Sequence, residues 1–149
     1  MASINSFQKI KELRERDKQA EMKTYQDSVE SFEEVATKLF HLLDEKEQAE
    51  AKFQMMIGRS KVNAGAFIQQ QHYIERLDQT VDSLQPKVQE ARYHMEAAQE
   101  KLTNAHIEVK KFQMLIDAKL ERKEKWIKSE ENKQMDELSM QQYLNYKNR

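Results

Sequence analysis

From Ile74 to Ile116 the apolar residues follow one repeating step: Ile74, Leu77, Val81, Leu84, Val88, Ala91, Met95, Ala98, Leu102, Ala105, Val109, Phe112 and Ile116. Every interval is three or four residues, strictly alternating, and no polar side chain intrudes. That spacing holds a single stripe on one side of a helix, so it predicts a coiled-coil seam that needs a second helix against it. Pro86 lies within the series and removes one helical hydrogen bond, at a cost of about 3 kcal/mol. The alternation nevertheless passes through it in register, which predicts a kink near residues 82–86 and no domain boundary.

The second helix is found upstream. Met22, Tyr25, Val29, Phe32, Ala36, Leu39 and Leu43 again step by three and four. Beyond Leu43 the stripe weakens at Lys46 and Glu50 before Phe53 and Ile57, and Ala49 and Met56 suggest a slight shift of face. Toward the N-terminus Phe7, Ile10, Leu13 and Ala20 continue it less regularly. Between the two stripes "IGRSKVNAGAF", residues 57–67, contains Gly58 and Gly65, the two glycines of the chain, with Ser60 and Asn63 between them. Glycine gives the backbone the freedom a reversal needs, and Asn63 is placed to cap the next helix. The predicted elements are a helix over 3–56, a turn over 57–66, a helix over 67–140 and a flexible tail over 141–149, within one domain.

Folding the chain back at about residue 61 or 62 pairs Leu39 with Leu84, Phe32 with Ala91, Tyr25 with Ala98 and Phe7 with Ile116. Large side chains then face small ones, as close packing prefers. Each well-buried Leu or Phe contributes on the order of 1.5–3 kcal/mol, so a dozen layers can hold a hairpin without a third helix. The fold class expected is all-α, a long antiparallel two-helix coiled-coil hairpin. Its second helix overhangs the first, because residue 4 pairs with about 119 and the next seam positions are Lys119 and Lys123.

The overhang is charged in blocks. Over residues 119–128, Lys119, Arg122, Lys123, Lys125 and Lys128 outweigh Glu121 and Glu124. Over 130–137, Glu130, Glu131, Asp136 and Glu137 outweigh Lys133. Trp126, the single tryptophan, sits in the basic block beside Ile127. A solvated helix end accounts for such charge, but a lone Trp among Arg and Lys also makes a good anchor for a protein partner.

Composition narrows the function. With 34% charged residues, two Gly and one Pro, the chain has the make-up of long helices. The 25 basic and 26 acidic residues nearly cancel, so the overall charge recommends neither nucleic acid nor an anionic membrane. No cysteine is present for a disulfide, a thiolate metal site or a thiol nucleophile, which suits a reducing cytosol. No signal-peptide stretch opens the chain, and none of it approaches the roughly 20 apolar residues of a membrane span. His41, His72, His94 and His106 are scattered, none in a His-Glu-x-x-His arrangement, and no glycine loop is built for phosphate. The expectation is a cytoplasmic protein with no enzymatic activity, no cofactor and no metal. In "FIQQQHYIERL", residues 67–77, Phe67 and Tyr73 exceed what the Ile74 and Leu77 seam requires, which fits either an amphipathic first turn or a recognition surface.

The stretch "IEVKKFQMLIDAKLERKEKWIKSEENKQMDELSMQQYL", residues 107–144, with "MDELS" before a polar tail, resembles the FliJ family of flagellar export proteins. "YIERLDQTV", residues 73–81, is a second similarity, and the likeness covers essentially the full length. The resemblance implies a stalk of the flagellar type III export apparatus, similar in fold to the antiparallel coiled coil of the rotary ATP synthase γ subunit. It implies that the joined chain ends enter the hexameric export ATPase ring, through Lys119, Arg122, Lys123, Trp126, Met135 and Asp136. It implies that the middle of the hairpin meets the cytoplasmic domain of the export gate protein, through Leu42, Tyr73 and Leu77, and also meets export chaperones. Lys38, Glu45, Ala49 and Thr80 depart from the family's contact pattern. The implied location is the cytoplasmic base of the export apparatus, as a monomer when free, without membrane insertion. Alternating charge suits a shaft that is soluble alone and makes many weak contacts. Rival readings are a prefoldin-like holdase or scaffold hairpin that grips clients through Phe67, Tyr73 and nearby Met residues, and a homo-oligomer paired through the second seam.

Overall fold

A computed structural model describes residues 3–59, 61 and 63–148. Ser60 and Val62, inside the expected turn, and Arg149, in the expected tail, lie outside the described residues. The fold is all-α, an antiparallel hairpin of α1 (Ile4–Ile57) and α2 (Ala64–Lys147). With 54 residues in α1 and 84 in α2, the second helix outlasts the first.

The helix starts are capped by short polar side chains. At α1 the Ser6 N–H donates to Ser3 Oγ at 3.2 Å. At α2 the Gly65 N–H donates to Asn63 Oδ1 at 3.0 Å, while Ala66 and Phe67 N–H groups reach the Asn63 carbonyl. Asn63 thus satisfies donors that a helix start leaves unpaired. The helix consequently begins three residues before the expected 67. Neither glycine has a positive φ, so the reversal does not use the left-handed freedom expected of them. Gly65 is already inside the first turn of α2.

The far end of α2 corrects a second expectation. Residues 141–147, expected as a flexible tail, are helical, and the Asn148 N–H still donates to the Leu144 carbonyl. "SMQQYLNYK" contains no Gly or Pro to end a helix, and its Met, Gln and Leu residues are good helix formers.

The chain divides into two compact units, each built from a piece of both helices. The unit Ala20–Thr103 holds the turn and the more apolar packing, with Ala49, Leu77, Val81, Val88 and Ala98 buried. Phe53 and Phe67 meet edge to face at 5.3 Å beside the turn, and Gln70 Nε2 donates to the Ala49 carbonyl at 3.0 Å. Further along, the Arg92 guanidinium lies 5.8 Å over the Phe32 ring, next to the Ala91 that Phe32 is expected to face. α2 continues through Pro86 with Val81, Leu84 and Val88 all turned inward, so its phase is kept. In the preceding turns Thr80 Oγ1 donates to the Arg76 carbonyl and Ser83 Oγ to the Thr80 carbonyl, both at 2.9 Å. Such back-bonds favour helix bending, the adjustment that a proline ring opposite the Asp82 carbonyl calls for.

On α1 the expected shift of face occurs one turn early. Leu43 is 43% exposed, whereas Leu42 is half-buried and is followed inward by Lys46, Ala49, Phe53 and Met56. Two successive steps of three, Ala36 to Leu39 to Leu42, advance the stripe as an inserted three-residue stammer does. Lys46 thereby takes an inward position, where its ammonium pairs with Asp78 on α2. The Asp78 hydrogen bond, reinforced by the Asp78, Glu50 and Asp82 charges and opposed by partial desolvation, raises the Lys46 pKa above the ordinary lysine value.

The other unit joins α1 through Gln19 to α2 from Asn104 onward. Phe7 lies between Phe112, at 6.4 Å, and Lys119, whose Nζ is 4.7 Å over the ring. The pair brackets the Ile116 that Phe7 is expected to face, and Ile116 is buried. Leu13, at 53% exposed, and Ala20 do not continue the stripe as expected. In this unit the inward face of α1 instead carries Lys11, Arg14 and Lys18, all half-buried. Their aliphatic stems cover the seam while the charged heads reach its edge, where Lys11 meets Glu15 and Arg14 meets Asp17.

Two outcomes follow from these contacts. Gly65→Ala adds a Cβ whose nearest neighbour is Asn63 Oδ1 at 3.6 Å, an ordinary contact. Thermal unfolding of that variant should show a gain of about 0.5–1 kcal/mol; destabilisation would mean the turn needs glycine. Because the Lys46 pKa is raised, its stabilisation is complete below the ordinary lysine pKa and is lost as pH rises through the folded value. The Tm gap between the native chain and Asp78→Asn should therefore hold from about pH 6 to 9 and shrink above about 10.5. A gap unchanged through pH 11.5, roughly one unit past the ordinary lysine value, would contradict the pairing.

Candidate functional site

The residues expected to meet an export gate all lie in the unit Ala20–Thr103. Tyr73 and Leu77 are one turn apart on α2, and the Lys46–Asp78 pair brings the Leu42 turn of α1 alongside them. They differ in accessibility. Tyr73 is 38% exposed, Leu42 is half-buried, and Leu77 is a core residue at 6%. Leu77 therefore belongs to the packed seam beneath this surface. Of the departing positions, Lys38, Glu45 and Thr80 are exposed and Ala49 is buried. Phe67 packs on Phe53, which accounts for it as part of the hairpin and leaves Tyr73 as the accessible aromatic of "FIQQQHYIERL".

The residues expected to meet an ATPase ring lie on α2 in the other unit. The structure separates Lys119 from the rest. It is half-buried with its ammonium on the Phe7 ring, so it closes the last packed layer of the hairpin. From Leu120 onward every described residue is exposed except Glu130. Arg122, Lys123 and Asp136 point to solvent, Trp126 is 65% exposed and Met135 66%. Local i,i+4 and i,i+3 ion pairs, Glu121 with Lys125 at 3.3 Å and Glu130 with Lys133 at 3.7 Å, support this segment of helix. Exposed pairs of that kind contribute only tenths of a kcal/mol, so the overhang is a weakly supported helix carrying a large apolar surface.

One surface was not legible as a site. Ile107, Met114 and Leu115 form an exposed apolar hollow between Lys110 and Lys111, on the side of α2 away from the seam. The signal was the seven-residue spacing of Ile107 and Met114, which the stronger seam beside it masked. All four histidines are exposed, and among the described residues no cluster of three or more His, Asp or Glu side chains could hold a metal.

Comparison with known proteins shows the family. The model of the family described as "Flagellar FliJ protein" matches residues 3–148. A curated relative, the "Flagellar FliJ protein" of Bacillus subtilis (strain 168), is 34% identical over 148 residues, which cover 97% of each chain. No solved structure matches. A likeness that runs end to end, through both helices and the overhang alike, makes this chain a member of the flagellar FliJ protein family.

Proposed function

We propose that the chain is a non-enzymatic stalk of flagellar protein export that binds the hexameric export ATPase with its overhang and couples it to the export gate and export chaperones. Family membership supports the flagellar, export-related role. The ATPase contact is carried by one observation: α1 packing closes at Lys119 over Phe7, after which α2 runs on to Lys147 with Trp126, Met135 and Leu138 exposed. A helix draws most of its stability from packing, so a long exposed extension with an aromatic anchor is suited to being covered by another protein. Arg122, Lys123 and Trp126 form the basic part of that surface, and Met135 and Asp136 the acidic part. The gate contact centres on Tyr73, with Leu42 beside it and Leu77 beneath. The chain works as a monomer at the cytoplasmic base of the apparatus, and among the described residues no helix is long and apolar enough to cross a membrane.

Deleting residues 120–149 leaves Lys119 on Phe7 and the paired seams intact, so thermal unfolding should stay cooperative. Association with the export ATPase and stimulation of its activity should fall at least about tenfold, as loss of an anchoring Trp typically does. Stimulation equal to that of the full chain would sink the stalk reading. Tyr73→Ala should weaken binding to the gate's cytoplasmic domain about tenfold in a titration while sparing the ATPase. Loss of both partners with helicity intact would contradict the division into two surfaces.

A further inference from the structure

Ile107 and Met114 break the rule that the face of a helix opposite its seam is polar. In the same turns Val109 and Phe112 are half-buried and Ile116 is buried, with Phe7 packed on Phe112. Ile107 on the other face is 54% exposed and Met114 71%, with Leu115 exposed beside them. An apolar patch so placed adds nothing to the packing of the hairpin itself, which marks it for contact with something else.

The patch has the spacing of a helix-packing site. Ile107, Lys110, Lys111 and Met114 stand at i, i+3, i+4 and i+7, the four corners of the hole that receives one side chain of a facing helix. Lys111, Met114, Leu115 and Ala118 repeat that set one turn on. A facing helix can therefore seat successive apolar side chains three or four residues apart. At about 100° per residue, Lys110 and Lys111 stand roughly 50° to either side of the line from Ile107 to Met114, so a cation edges the hollow on each flank. Lys110 has no Asp or Glu three or four residues away in either direction, and Lys111 has Glu108 alone. Neither lysine forms an ion pair among the described residues.

We infer that this hollow seats an amphipathic helix of another protein, one whose apolar ridge is edged by Asp or Glu on both sides. Charge complementarity selects the acidic edges, because carboxylates there would meet two cations that the chain itself leaves unpaired. An extended peptide finds no backbone to pair with, since the N–H and C=O groups of α2 in these turns are taken up within the helix. The same face of a second copy is a poor occupant, because it would set Lys110 and Lys111 against their own mates. The hollow lies where α1 backs α2, ahead of the overhang, so this inference goes beyond the stalk reading and does not depend on it.

The test uses the full chain and a synthetic helical peptide of about three heptads, with Leu at the seam positions and Glu beside them, and a second peptide with Lys in place of Glu. Calorimetric titration should show the Glu peptide binding at least about tenfold tighter than the Lys peptide, with the preference narrowing as salt is added. Ile107→Ser with Met114→Ser should weaken the Glu peptide at least about tenfold and Trp126→Ala should leave it unchanged, with helicity preserved in both. Lys110→Glu with Lys111→Glu should reverse the preference, so that the Lys peptide becomes the tighter ligand. Glu-peptide binding that survives the serine substitutions, or that Trp126→Ala removes, would overturn the inference by placing the peptide elsewhere, on the overhang in the second case. A preference unaltered by the charge reversal would overturn it as well. So would a dimer of the free chain that the serine substitutions dissolve, in favour of a second copy, or flotation with anionic vesicles that they abolish while the Glu peptide does not bind, in favour of a lipid surface.

Discussion

Each helix of this hairpin has a single apolar stripe and a single neighbour to bury it against. Everything else follows from that constraint. With one partner per stripe, a seam residue can be covered from one side only, and among the described residues just six apolar ones are buried: Ala49, Leu77, Val81, Val88, Ala98 and Ile116. The remaining layers are half-buried and gain stability through stems and edges as much as through apolar tips. Lys11, Arg14, Lys18 and Lys46 all occupy inward positions in this way, and Lys119 ends the series by resting on Phe7. A seam so shallow leaves little surplus, so an ion pair such as Lys46–Asp78 or a cap such as Asn63 matters more than it would in a thick core.

The same constraint places the candidate surfaces. A two-helix hairpin has one shallow seam for an interior, and the four histidines all face solvent. What it offers is helix surface that the seam does not use. Among the described residues such surfaces include the α2 extension around Trp126, the hollow at Ile107 and Met114, and the end at Met55, Ile57 and Ile68. The extension is where we propose the ATPase contact, because it is the part of α2 for which the chain supplies no second helix.

The α2 seam was legible from sequence because all its positions from Ile74 to Ile116 are apolar, and each is buried or half-buried in the structure. The α1 seam was legible only where it is apolar. Leu43, Leu13 and Ala20 drew the stripe to the wrong side, since hydropathy cannot recognise Lys46, Lys11 or Arg14 as inward residues when their stems do the covering. The limits of α2 differ from the expected ones for related reasons: Asn63 caps it four residues before its first large apolar side chain, Phe67, and nothing after Gln141 stops it. Of the expected contact residues, sequence could not separate Leu77, which holds the core, from Tyr73, which reaches solvent. Nor could it tell that Lys119 belongs to the paired seam and Trp126 does not.

The central claim is that α2 beyond Leu120 lacks a helix to pack on in the free chain and gains cover from the export ATPase. Amide hydrogen exchange measured segment by segment tests it directly. In the free protein residues 121–147 should exchange well ahead of 104–119, and adding the ATPase should slow exchange in 121–147 while leaving the Ala20–Thr103 unit unchanged. Equal protection of the two stretches in the free chain, or exchange over 121–147 that the ATPase does not alter, would contradict the account.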